Sequence, residues 1–153
     1  MRKLKIYIDT SVIGGYFDQE FETETKELFD KFINHEYDLV ISDLTRSELL
    51  NAPDNVKTLF QSLGLTSELV SITIEAISLA NEYMKEKVVG ETSKDDCLHI
   101  ALATVNKVDI LVSWNFKHIV NIKRIRGYNA INIMNGYPVI EIRSPKEIID
   151  YEE

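Results

Sequence analysis

Asp9, Glu48, Asp96 and Asn115 are the residues of this chain whose types and settings can do chemistry together. Asp9 closes the stretch LKIYID, where a carboxylate follows a run apolar enough to be a buried strand, and Asn115 follows ILVSW in the same manner. Glu48 in SELL and Asp96 in SKDDCLHIALA fall on helical stretches that can approach the same edge of a sheet. Carboxylates brought close together repel and raise one another's proton affinity. A hard divalent cation removes that penalty, and oxygen-rich clusters suit Mg2+ or Mn2+. Such an ion supplies a Lewis acid or an activated water for phosphoester hydrolysis. Spacing alone does not bring the four together, and each has a plainer role open to it. Asp9 can close a turn through an Asx bond. Glu48 can be an exposed helix acid. Asp95 and Asp96 can both simply favour the helix dipole in the first turn.

The elements that must position these residues follow from hydropathy patterning. LKIYI, YDLVIS, ELVSI, DILVSW and PVIEI read as short strands, the first apolar enough to be buried on both faces. Between them, TKELFDKFINHE, SDLTRSELLNAPD, NVKTLFQSLGL, TIEAISLANEYMKEKVV and SKDDCLHIALATVNK read as helices. Ser42 and Ser93 are placed to cap two of them, and Pro53 stops the first of that pair. NIKRIRGYNAINIMNGY is basic and partly helical, and Pro145 opens a short terminal turn or helix. The residues after Asp9 read as a loop. Alternation of strands and helices predicts an α/β domain with a mainly parallel central sheet. Sheets of this kind bind ligands outside the carboxyl ends of their strands, which is where Asp9 and Asn115 fall.

The 153 residues suit one domain spanning 1–153, with no repeat, linker or low-complexity segment. Net charge is −8, which disfavours indiscriminate nucleic-acid binding. Yet Ile110–Ile140 holds no acid and carries Lys117, Lys123, Arg124 and Arg126, a +4 segment that leaves −12 for the remainder. The single cysteine, Cys97, allows no internal disulfide and no zinc spacing, so a reduced, cytoplasmic setting is expected. Asp9 interrupts the apolar run behind the basic N-terminus, which argues against a signal peptide, and no stretch reaches the ~18 residues of a membrane span.

In order and spacing, IDTSV, SELL, DDCLHIALA and ILVSWNFKHI resemble the PIN-domain family of metal-dependent ribonucleases, which includes toxins of many bacterial toxin–antitoxin pairs. The resemblance covers nearly the whole chain. It implies a three-layer α/β/α fold and a ribonuclease that hydrolyses RNA phosphodiesters with Mg2+ or Mn2+, leaving 5′-phosphate and 3′-hydroxyl ends. It places catalysis on Asp9, Glu48, Asp96 and Asn115, with Asp9 and Asp96 as metal ligands. Thr10, Ser11 and Ser113 match supporting hydroxyl positions, with Asp95 beside them. Asn115 departs from the family, many of whose members have Asp there; an amide oxygen can still ligate a hard cation but adds no charge. The partners implied are RNA and an antitoxin protein, with a homodimer allowed and no membrane.

Other residues weigh less. Lys117, His118, Lys123, Arg124 and Arg126 are RNA-contact candidates, against an ordinary solvated face. His99 lies one turn beyond Asp96 and reads as a partly buried histidine with a hydrogen-bond partner. Trp114 can stack on a base, but packing over the sheet end is favoured. Cys97 reads as a buried apolar residue. An aspartyl phosphatase of the haloacid-dehalogenase type would want a second Asp two residues after Asp9, where Ser11 stands. A PIN-like module that binds RNA or protein with weak or no catalysis is the alternative from another class.

Overall fold

Lys5–Ile8 forms β1, the middle strand of a five-stranded sheet. The computed structural model describes residues 2–86 and 92–150. After β1 come α1 (Thr10–Gly15), α2 (Glu22–Ile33), β2 (Asp38–Ser42), α3 (Asp43–Glu48), α4 (Asp54–Gly64) and β3 (Glu68–Val70). Then follow α5 (Ile74–Glu86), α6 (Lys94–Val105), β4 (Ile110–Val112), α7 (Ile122–Met134), β5 (Glu141–Arg143) and α8 (Pro145–Asp150). The strand order is β3-β2-β1-β4-β5, and every pairing is parallel. Tyr7 pairs with Val40 on one side and Leu111 on the other.

Side chains alternate across a strand, so β1 feeds two cores. Tyr7 joins Val40, Leu111 and Ile142 beneath α5, α6 and α7. Ile6 and Ile8 join Leu39, Ile41 and Val112 on the opposite face, covered by α1, α2, α4 and α8. The result is the three-layer α/β/α arrangement, and α6 in its middle is buried continuously from Cys97 to Thr104. Because β2 lies on one side of β1 and β4 on the other, the chain reverses its direction of progress between β1 and β4. In open parallel sheets such a reversal marks a ligand-binding crevice at the carboxyl ends of the two strands, here β1 and β4.

Two elements differ from the sequence reading, and a third is sharpened. Thr10–Gly15, expected as a loop, is a helix: TSVIGG has poor helix propensity, but Val12, Ile13 and Gly15 are buried, and packing overrides propensity. The α3 helix ends at Glu48, well before Pro53. Leu49 is buried in the second core, and the chain turns there, with Ala52 N–H donating to the Leu49 carbonyl. The basic stretch after Asn121 is helical over Ile122–Met134, capped by the Asn121 side chain. Val88 and Val89, expected to end the helix that is now α5, lie outside the described residues.

Candidate active site

Asp9 leaves β1 in extended conformation and stands at the N-cap of α1, yet its carboxylate makes no capping bond. It turns instead toward β4. Ser11 Oγ donates to Oδ1 at 2.6 Å and Ser113 Oγ donates to Oδ2 at 2.7 Å. Trp114 N–H donates to Ser11 Oγ, and Asn115 N–H donates to Ser113 Oγ, so the segment after β4 fixes the two serines. Asp9 is 4% exposed. Burial raises its pKa, and His99 and the two serine hydroxyls only partly offset the rise.

Glu48 reaches the same edge from the last residue of α3. Thr10 Oγ1 donates to Glu48 Oε1 at 2.8 Å, and His99 Nε2 meets the same oxygen at 2.6 Å. Burial works to raise the Glu48 carboxyl, but the hydrogen bonds from His99 and Thr10 outweigh it and hold the pKa below its ordinary value. Among the described residues Glu48 Oε2 has no hydrogen-bond partner. Two hydrogen-bonded groups thus stand at this edge, Asp9 with Ser11 and Ser113, and Glu48 with Thr10 and His99.

Asp96 lies in the first turn of α6, partly buried, one turn before His99. Its N–H donates to the cap Ser93, while Asp95 is exposed. The charge of Asp96 is felt at Cys97 and Tyr128. No hydrogen bond joins Asp96 to Asp9 or Glu48. Among the described residues no three His, Cys, Asp or Glu side chains form a ready-made metal cage. The donor set nonetheless fits a hydrated hard cation, which keeps several waters and needs one or two carboxylates. Asp9 is a desolvated anion whose nearest donors are hydroxyls, so a cation beside it would relieve its burial. The set does not fit zinc: Cys97 is buried with its pKa pushed up to about 12, by burial first, and both nitrogens of His99 are engaged. Cys97 is wholly buried, as expected of a small apolar residue and not of a reactive thiol.

Asn115 has a local duty. Its Oδ1 accepts from His118 N–H, and its carbonyl accepts from Ile119 and Val120 N–H, closing the turn after β4. His118 is partly buried in this turn, and its Nδ1 is buried without a hydrogen-bond partner among the described residues. Lys117, Lys123 and Arg126 are exposed, whereas Arg124 turns inward to the Thr92 hydroxyl. Trp114 is packed, as favoured from sequence: it stacks on Phe21 at 4.2 Å between ring centroids, and its Nε1 donates to Thr25 Oγ1. Tyr7 was not singled out from sequence. Its hydroxyl meets His99 Nδ1 at 2.6 Å and Ser42 Oγ at 2.8 Å. The available signal was a tyrosine in the middle of a buried strand, whose hydroxyl must find a partner.

A PIN domain model matches residues 6–117. The chain belongs to the PIN domain family. The match runs from within β1 past Asn115 and so includes Asp9, Glu48, Asp96 and Asn115. No curated protein is matched by sequence. Among solved structures, this PIN domain is similar to DNA-bound VapBC from Salmonella typhimurium at 17% identity and TM-score 0.62, over 93% of this chain and 98% of that one. It is similar to VapBC2 from Rickettsia felis, bound to a promoter DNA fragment, at 12% identity and TM-score 0.60, over 92% and 98%. A third is VapC20 from Mycobacterium tuberculosis, a toxin that cleaves the sarcin-ricin loop, at 12% identity and TM-score 0.60, over 74% and 92%. At these identities the likeness is one of fold. No helix among the described residues is long and apolar enough to cross a membrane.

Proposed function

We propose that this PIN domain is a Mg2+- or Mn2+-dependent ribonuclease that hydrolyses RNA phosphodiesters and acts as the toxin of a toxin–antitoxin pair. The observation that carries this reading is the desolvated Asp9 carboxylate at the crevice between β1 and β4, joined through Ser11 and Ser113 to the β4 end and lying beside the Glu48 cluster. In this reading Asp9 and Asp96 hold the ion, with Glu48 and Asn115 beside it. When bound, the ion stabilises charge developing on a scissile phosphate. Ser11 and Ser113 keep the Asp9 oxygens oriented. Glu48, held ionised, has Oε2 open to orient a water or accept its proton. Lys117, His118, Lys123, Arg124 and Arg126 would line the path of the RNA backbone. The antitoxin partner is carried over from a similar solved structure that is a toxin–antitoxin complex.

The test is cleavage of RNA by wild type, Asp9→Asn and Asp96→Asn, each with Mg2+, Mn2+ or chelator. Both variants should keep wild-type circular dichroism and lose cleavage by about 100-fold or more. Full activity in either removes that carboxylate from the site. A second reading, a PIN module that binds RNA or protein without cleaving, is favoured by an Asn115 oxygen already engaged in its turn and by the lack, among the described residues, of three acids gathered in one cage. It predicts RNA retention with no metal-dependent product.

A further inference from the structure

Tyr7 is fully buried in β1, and its ring meets that of His99 edge-on at 5.7 Å. The hydrogen bonds around this pair close a ring through four parts of the chain. Ser42 ends β2 and caps α3, accepting from Thr45 N–H; Glu48 ends the same helix; His99 belongs to α6; Tyr7 belongs to β1. The proton arrangement follows from the only member that is half open to water. An ionised carboxylate can only accept, so His99 Nε2 carries the proton toward Glu48. In the neutral imidazole Nδ1 is then an acceptor, and the Tyr7 hydroxyl must donate to it. Tyr7 in turn accepts from the Ser42 hydroxyl. Every donor in the chain Ser42, Tyr7, His99 points toward Glu48. A histidine that merely needed satisfying in the core could have bonded a backbone carbonyl. This one ends on a carboxylate 28% exposed, while its own side chain is 3% exposed.

We infer that Tyr7 and His99 are positioning residues for Glu48: they fix the imidazole tautomer and, through it, the carboxylate rotamer that leaves Oε2 facing the crevice. This rests on the reading of Glu48 as a participant in the reaction. A side chain at the end of a six-residue helix would otherwise sample several rotamers. Here Thr10 and His99 hold one of its oxygens from two directions. Outer partners that orient a reacting group act in this way when they lock both tautomer and orientation.

The experiment compares Tyr7→Phe, His99→Gln, His99→Leu and Glu48→Gln with Tyr83→Phe. The last removes another buried hydroxyl on the same face, bonded to Asn132 and remote from Glu48. Tyr7→Phe should lower kcat for RNA by about 10- to 100-fold with KM within about twofold, while Tyr83→Phe leaves kcat within about twofold. His99→Gln keeps a donor near the Nε2 position, so it should retain more kcat than His99→Leu. A readout independent of turnover is the 15N spectrum of labelled histidine. In wild type His99 should show a protonated Nε2 and an acceptor Nδ1, and both Tyr7→Phe and Glu48→Gln should move these signals. If Glu48→Gln cleaves like wild type, the reading of Glu48 fails and the positioning role falls with it. If Glu48→Gln is inactive but Tyr7→Phe keeps wild-type kcat, or leaves the His99 signals in place, the positioning inference alone is overturned.

Discussion

Asp9 is almost wholly removed from water, and its nearest partners, Ser11 and Ser113, bring hydroxyl dipoles rather than full charge. Its folded pKa is therefore raised, chiefly by burial. The folded protein holds this proton to a higher pH than the unfolded chain does, so stability falls as pH rises through the interval between the two values, and the full cost is present above it. Asn at this position has no charge to bury, and both serine hydroxyls can rotate to satisfy an amide. Asp9→Asn should accordingly melt at or above wild type at neutral pH in chelator, with the advantage vanishing in acid. Millimolar Mg2+ or Mn2+ should raise the wild-type Tm and leave the variant unmoved. A lower Tm for the variant at neutral pH, measured by calorimetry, would refute this account. Asn115 yields a second expectation. Its Oδ1 accepts from His118 N–H, and an Asp oxygen can accept the same bond. Asn115→Asp should therefore keep wild-type stability and lower the Mn2+ concentration needed for half-maximal cleavage. Unchanged metal demand in a calorimetric titration and a cleavage assay would show that charge at this position does not matter. The chemical types of these residues were legible in the sequence because each sits at a strand end or helix start with a recognisable neighbourhood. The local duty of Asn115 was not, since an amide after a strand serves a turn and a ligand set equally well.

Helix α1 shows where element-level reading stops. A sequence of three β-branched residues, a serine and two glycines carries no helical signal of its own. The helix exists because Val12 and Ile13 are buried and because Gly15 lets the indole of Trp114 lie against its backbone. A Cβ on Gly15 would stand 2.8 Å from both Cδ1 and Nε1 of Trp114, pushing the indole off Thr25. On Gly14 a Cβ would meet nothing within 4 Å. Alanine is worth up to ~1 kcal/mol over glycine within a helix, whereas overpacking costs roughly 1–3 kcal/mol. Gly15→Ala should therefore destabilise by about 1–2 kcal/mol, and Gly14→Ala should stabilise by a few tenths to about 1 kcal/mol. Urea titrations of the two variants test this, and matching signs would mean that the Trp114 packing does not govern the helix. The longer helices were legible through their caps and apolar spacing. Ser42 and Ser93 cap α3 and α6 as expected. The early end of α3 was not legible, because it depends on Leu49 finding the second core.

At the scale of the molecule, alternating strands and helices predicted the parallel sheet, but the strand order could not be read from one sequence. Nor could the ring around Glu48, whose bonds join residues 35, 51 and 92 positions apart. The charge division was legible, and the fold places the basic segment just beyond β4, on the turn and on α7, where Lys117, Lys123 and Arg126 are exposed. If this face carries RNA, Lys123→Ala with Arg126→Ala in an Asp9→Asn background should weaken RNA binding and flatten its logarithmic salt dependence by roughly 0.7 for each phosphate no longer neutralised. Lys146→Ala, on α8, should leave the slope unchanged, and equal effects from the two sets would assign the binding to bulk charge alone. The packing of Trp114 has one more consequence. It is the only tryptophan in the chain, it is 8% exposed, and its backbone N–H is tied through the Ser11 hydroxyl to the Asp9 carboxylate. Tryptophan emission therefore comes from one indole, held by Thr25 on a residue whose backbone is two hydrogen bonds from the Asp9 carboxylate, so a change in that emission on adding Mg2+ or Mn2+ reads out events near Asp9 without any label.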